Sequence, residues 1–400
     1  MSPRPFEERR KRAPYRKWGH DLEPQSVEQM ENACRLPVSV RGALMPDAHL
    51  GYGLPIGGVL ATKDSVIPYA VGVDIACRVK MSVLDLPPAS LDDGDASGRL
   101  RDAITRETRF GIGASFKKPR AHAVMDEDWS RSPVTREMKD KAWSQLGTSG
   151  SGNHFVEFGE LEVAEGAALD LPAGRYVAFL SHSGSRGVGA GVASHYSKRA
   201  MAAHPELPKE LSRLAWLDLA SADGAEYWWA MELMGRYAAA NHACIHRHVA
   251  ANLGAEVLLD LENHHNFAWK ERHDGRDVIV HRKGATPAGE GVLGIIPGSM
   301  ATPTYVVRGK GSSDALDSAA HGAGRVMSRT KAKKTIEWPD VQARLRDSGV
   351  KLMSAGLDEA PMVYKNIDDV MRAQADLVES IATFRPRLVK MAPAGERPED

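Results

Sequence analysis

VSVRGALMPDAHLGYGLPIGGVLAT, residues 38–62, sets two short β-branched or apolar runs, 38–45 and 55–62, on either side of a polar joint, MPDAHLGYGLPIGG (45–58). Runs of this kind bounded by Gly and Pro read as strands. Here strand follows strand, and a third run at 77–84 comes before any helical pattern. Further runs at 174–181, 256–261, 277–281 and 303–308 read the same way. Helical periodicity is clearest at 221–252 and weaker at 97–107, 187–202, 326–335, 338–347 and 366–381. The elements do not alternate regularly, so the expectation is an α+β fold and not a doubly wound sheet. Polar loops are expected near 86–98, 117–135 and 284–291, with a loose Pro-rich tail from 385 onward. A chain of 400 residues is long for one core. The lack of repeats and low-complexity linkers nevertheless argues against widely separated domains.

Lysine plus arginine (52) equals aspartate plus glutamate (52), so the overall field offers no general attraction to nucleic acid. Two local basic clusters remain. Residues 9–17 read as a solvated arm, whereas RTKAKK at 329–334 directly follows a candidate site. No apolar run approaches a membrane span, and three scattered cysteines, Cys34, Cys77 and Cys244, fit a reducing compartment. A cytoplasmic protein is expected. Any cysteine with a role is then read as a ligand.

The polar clusters fall in the joints at strand ends, where a rigid scaffold can hold chemical groups. DIACR (74–78) spaces Asp74 and Cys77 so that a carboxylate and a thiolate can converge on one ion. Alone, that pattern is more often a capping aspartate and a buried cysteine. LGTSGSGNHFVEF supplies Asn153, His154, Phe155 and Glu157, but its glycine-rich turn lacks the Gly-Lys-Ser/Thr ending of a P-loop. SHSGSRG (181–187) places His182 and Arg186 at a strand end, without the elbow signature of a serine hydrolase. ENHHN offers His264 and His265, only one of which can face a given site if the segment is extended. His242 and His246 in NHACIHRH mimic a zincin helix, but Ala243 stands where the general-base glutamate belongs, so satisfied histidines on a surface or partly buried helix are expected. Asp74, Cys77, His154, His182 and one of His264/His265 together form a plausible ligand set for one or two divalent ions: zinc, iron, cobalt or manganese. In AAHGAGRVMSR (319–329), His321 precedes a small Gly-Ala-Gly turn, and Arg325 and Arg329 add positive charge suited to a phosphate.

In the order MPDAHLGYGLPIGG, GVDIACRVKMSV, LGTSGSGNHFVEF, SHSGSRGVG, HHN, HRKGAT, IPGSM, HGAGRVMSR and VYKNIDDV, spanning about 40 to 390, the chain closely resembles the RtcB family of RNA-splicing ligases. The resemblance implies a single compact α+β domain on mixed β-sheets over 1–390, with 1–20 as a basic arm and 391–400 as a flexible tail. It implies GTP- and Mn2+-dependent joining of RNA ends bearing a 3′-phosphate or 2′,3′-cyclic phosphate to a 5′-hydroxyl, in RNA repair or tRNA splicing, and leaves room for an activator protein. Carried over by motif, the metal ligands are Asp74, Cys77, His154, His182 and His265, and His321 is the nucleophile that accepts GMP. Asp47 acts near the reacting ends. The nucleotide contacts are Asn153, Phe155, Glu157, His265, Asn266, Lys283, Pro297, Gly298, Ser299, Met300, Thr304, His321, Gly322, Ala323, Gly324, Arg325, Tyr364 and Lys390. In this reading Lys283 and Arg325 neutralise phosphate charge, and Glu157 accepts from the guanine edge. Arg78 and Ala301 stand where the family commonly carries glycine. Three alternatives share these residues: a nucleotidyltransferase that caps 3′-phosphate ends with GMP, a metal-dependent phosphodiesterase acting on cyclic phosphates, and a non-catalytic end-binding protein.

Overall fold

The computed structural model describes residues 6–167 and 169–396. Two mixed sheets organise them. The larger runs in the order Leu293–Pro297, Thr304–Gly309, Val378–Met391, Phe155–Val163, Gly174–Ser183, Arg78–Leu84 and Val257–His264, with Lys351–Ser354 pairing in parallel to Val378–Met391. Its outermost strands approach each other: the Asn263 amide accepts from the Ile295 N–H (2.9 Å) and donates to the Ile295 carbonyl (3.4 Å). The sheet thus curls into a nearly closed barrel. Side-chain alternation fills its two faces separately. Val79, Met81 and Val83 pack with Leu180, Ile295, Val306 and Phe384 on one side. On the other, Leu84, Phe158, Val177 and Phe179 meet Ile245, Val249 and Leu253 of the helix Ala222–Leu253. That helix begins where Ser221 Oγ accepts from the Gly224 N–H and ends at Gly254 in the left-handed conformation (φ 66°).

The second sheet runs Tyr15–Lys17, Ser39–His49, Ile56–Thr62, Arg276–Lys283 and Asn266–His273, parallel at its first pairing and antiparallel elsewhere. The α+β expectation holds. Among the described residues, no helix is long and apolar enough to cross a membrane.

Several local expectations need correction. Only Ile367–Ala373 of the expected helix 366–381 is helical; from Val378 the chain is a strand that continues to Met391 through the segment expected as a loose tail. Pro386 is tolerated within it because the register shifts between Pro386 and Leu388, where a missing N–H breaks no regular ladder. Pro133–Gln145, starting in the expected loop 117–135, is a helix with proline in its first turn, as is Pro24–Ala33. The basic arm is docked: Tyr15–Lys17 pairs with Gly42–Leu44, and Ala13 and Trp18 are buried. Residues 1–5 of that arm and 397–400 of the expected flexible tail lie outside the described residues, whereas Met391 and Ala392 are buried.

Candidate functional site

Antiparallel pairing collects the ligand candidates on one rim of the larger sheet. Arg78 pairs with Ser183 on one side and His264 on the other, and Phe155 pairs with His182. The starts of two strands therefore lie beside the ends of their neighbours. Cys77 and His154 immediately precede strands, His182 lies near the end of one, and His265 directly follows one. The His265 N–H donates to the Cys77 carbonyl (3.0 Å), and the Cys77 N–H to that of Asp74 (3.2 Å). Arg78 fixes this turn by donating to Glu262 (2.6 Å) and to the carbonyls of Ala76 (3.2 Å) and Gly235 (2.9 Å).

The side chains converge as two triads sharing Cys77: Asp74–Cys77–His154 and Cys77–His182–His265, all buried. Cys77 Sγ lies 3.5 Å from His154 Nε2 and 3.2 Å from His182 Nε2; His182 Nε2 is 3.2 Å from His265 Nε2. Asp74 Oδ2 has no hydrogen-bond partner among the described residues, although His154 Nε2 stands 3.1 Å away. Ligand atoms about 2.1 Å from a tetrahedral ion are separated by about 3.4 Å, so this donor set fits a shared metal site. Its protonation fits as well. Burial, reinforced by the neighbouring His154 and His321, holds His182 down at about 3, and burial holds His265 well below the ordinary histidine range, leaving neutral imidazoles. Burial opposes ionisation of Asp74, but His154, Arg186 and Cys77 outweigh it and keep its carboxyl below the usual range. His182 Nδ1 contacts the Asn153 carbonyl (3.1 Å), which orients Nε2 toward the cluster. Gly184 is required here because a Cβ would sit 2.1 Å from Asp74 Oδ2.

His321 stands beside this cluster, its ring centroid 4.7 Å from that of His265. Asp47 Oδ2 accepts from His321 Nδ1 (2.8 Å) and from the His321 backbone N–H (3.2 Å). A carboxylate accepts, so Nδ1 carries the hydrogen, and in the neutral ring Nε2 is then the nitrogen with the lone pair. Gly324, at φ 73°, lets the turn close on Asp47, whose carbonyl oxygen would lie 2.0 Å from a Cβ.

The cluster opens into a cleft of about 160 Å³, far more than the ~10–15 Å³ that holds a single water and so roomier than an ion alone needs. It is lined by Asn153, Phe155, Glu157, Asn266, Pro297, Gly298, Ser299, Met300, Thr304, Gly322, Ala323, Gly324, Arg325 and Tyr364, together with His321 and the five ligand candidates. Lys283, Lys390 and Asp47 are not among the lining residues. Lys283 Nζ donates instead to the Tyr52 carbonyl, and burial, with Arg213 nearby, holds its ammonium down at about 7. Lys390 lies over the Phe110 ring. Asp47 sits behind His321. His264 turns away toward Phe267 and Trp269, which resolves the choice left open by the sequence. Burial pushes Glu157 up to about 8.

Two titratable cleft residues, His49 and Glu359, were missed. His49 follows Asp47 on the same strand and is held at about 4, chiefly by burial. Glu359 accepts from Arg329 and Tyr364 and lies 3.5 Å from Arg325, while Arg329 also meets Asp358. The arginines read as phosphate-facing charge are thus partly balanced by acids from LDEAP, a segment without any motif signal. The zincin-like pair is fully buried, not surface-facing: His242 and His246 both bond Ser181 Oγ (2.8 Å each), with Ser183 (3.1 Å) and Ser82 (2.7 Å) completing the chain.

A family model described as tRNA-splicing ligase RtcB matches residues 29–131 and 122–391. The chain belongs to the RtcB family. It is 33% identical over 409 residues to the RNA-splicing ligase RtcB of Escherichia coli (strain K12), covering 93% of this chain and 96% of that protein. The tRNA-splicing ligase RtcB of Nanoarchaeum equitans is 33% identical over 438 residues, covering 91% of both chains. The RNA-splicing ligase RtcB of Mycobacterium tuberculosis (strain H37Rv) is 32% identical over 425 residues, covering 90% and 98%. The RtcB-family motifs thus coincide with the rim and the cleft.

Proposed function

We propose that this RtcB-family protein is an RNA ligase that joins 3′-phosphate or 2′,3′-cyclic-phosphate ends to 5′-hydroxyl ends through a His321–GMP intermediate. The observation that carries the reading is the Asp47 carboxylate bonded to His321 Nδ1, which leaves Nε2 of the neutral ring as the attacking nitrogen beside a ligand cluster suited to a metal. Asp74, Cys77, His154, His182 and His265 would hold one or two Mn2+ ions, which supply Lewis-acid neutralisation of phosphate oxygens. His321 Nε2 attacks the α-phosphorus of GTP, the bond to the bridging oxygen breaks and pyrophosphate leaves. Asp47 holds the Nδ1 proton and stabilises the ring as it gains positive charge. GMP then passes from His321 to the RNA 3′-phosphate, and the 5′-hydroxyl displaces it. Cyclic ends are first hydrolysed to the 3′-phosphate. Glu157 faces the guanine edge, Phe155 packs on the nucleotide, and Arg325 meets its phosphates.

We place this chemistry in one domain spanning 1–390 and in the cytoplasm, where the thiols of Cys34, Cys77 and Cys244 would stay reduced. The deciding experiment incubates wild type and His321→Ala with α-labelled GTP and Mn2+ and scores label retained on denatured protein. Label on wild type alone, followed by joined RNA, is expected. Label and capped RNA without joining would favour the capping nucleotidyltransferase. No label, with opening of cyclic phosphate, would favour the phosphodiesterase.

A further inference from the structure

The loop after Asp47 is pinned at four successive residues. The Leu50 N–H donates to Glu23 Oε2 (2.7 Å), and Gly51 exchanges two hydrogen bonds with the Gln29 amide (3.0 and 2.6 Å). The Tyr52 carbonyl accepts from Lys283 Nζ, and Gly53, at φ 72°, packs so closely that a Cβ would lie 2.7 Å from the Arg213 carbonyl oxygen. Such anchoring would ordinarily accompany buried side chains. Yet Leu50 is 49% and Tyr52 54% exposed, two of the large apolar residues the fold leaves in water.

Single exposed apolar residues need no explanation, but two within three positions on a fixed backbone are unusual. The Arg213 guanidinium lies 4.7 Å from the Tyr52 ring centroid and backs one face. Lys209, Arg213 and the amides of Gln29 and Asn32 line the adjoining groove, with Glu210 the one acid among its lining residues. The loop's stems meet the reaction centre: Asp47 bonds His321, and a Cβ on Gly284, next to Lys283, would touch both Ile56 (2.4 Å) and His321 (3.1 Å). The Tyr52 backbone carbonyl is therefore one lysine side chain away from the wall of the nucleophile.

We propose that Tyr52, backed by Arg213, is a stacking platform for a nucleobase close to the RNA end that reacts at His321. The inference rests on the ligase reading and adds to it the surface that orients the RNA strand. A rigid aromatic face suits any unstacked base, and the cations beside it suit the phosphate backbone.

The test measures binding of fluorescent single-stranded RNA, one strand ending in 3′-phosphate and another in 5′-hydroxyl, by anisotropy with the full chain. Tyr52→Ala should weaken at least one strand about 5- to 100-fold while Tyr52→Phe stays within about twofold of wild type. Arg213→Ala should also reduce the salt dependence. Melting temperatures confirm folding, and since the loop is held through backbone atoms at Tyr52 they should match wild type. Wild-type affinity of Tyr52→Ala for both strands would overturn the platform alone and point to a protein-docking loop. Equal losses in Phe and Ala variants would overturn stacking in favour of the hydroxyl. Failure of the wild type to bind RNA would overturn the ligase reading and the platform with it.

Discussion

Asp47 and His321 are 274 positions apart in the chain, yet the Asp47 carboxylate accepts both the Nδ1 hydrogen and the backbone N–H of His321. One acid thereby fixes both the tautomer and the orientation of the ring.

Asp47→Ala should slow formation of labelled protein from α-labelled GTP by about 10²–10⁴-fold, because the imidazole loses its oriented partner. His321→Ala should give no label. Single-turnover labelling separates the two. A wild-type rate in Asp47→Ala would mean that the carboxylate serves the RNA ends only.

Cys77 belongs to both ligand triads, so Cys77→Ala removes a shared thiolate. Manganese affinity should fall at least as far as the ~10–100-fold that loss of a supporting group typically costs. Titration followed by the spectrum of free Mn2+ would measure it. Guanylylation at low metal should disappear in parallel.

Glu157 carries a pH dependence with a definite sign. Its acid is raised to about 8 by burial, which favours the protonated form at neutral pH. If the carboxylate accepts from guanine, GTP affinity should rise with pH toward about 8 and level off above it. Glu157→Gln should flatten that profile and reduce discrimination against ATP, as calorimetry at several pH values would record. Folding runs the other way. The raised value contributes stability that is fully present below the ordinary 4.5 and is lost as pH rises through about 8.

His242, expected from the sequence to be a satisfied histidine on a surface or partly buried helix, bonds both serines that flank His182. His242→Ala should destabilise the fold by about 1–3 kcal/mol through unpaired buried groups. Metal stoichiometry should survive at temperatures where the variant remains folded. Thermal melts with metal analysis test both halves.

The residue types carried much of the chemistry. A carboxylate, a thiolate and imidazoles at strand ends identified Asp74, Cys77, His154 and His182 as ligand candidates before any contact was known, because metal-binding donors are few and their placement at joints is visible locally. Strand runs such as 77–84 and the helix 222–253 were equally legible, since periodicity and capping are local properties. Tertiary structure decided what depends on distant partners. Val378–Met391 is a strand because Phe155–Val163 and Thr304–Gly309 pair with it, not because of its own proline-interrupted pattern. His265 faces the cluster while His264 meets Phe267 and Trp269, a choice made by the pleat at the end of the strand. Glu359 partly balances Arg325 and Arg329 across a gap that no motif spans, and Asp47 reaches His321 only because the folded chain brings two distant joints to one wall. Bond-forming capacity resides in the side chains; which lone pairs face one another is set by the pairing of strands far apart in sequence.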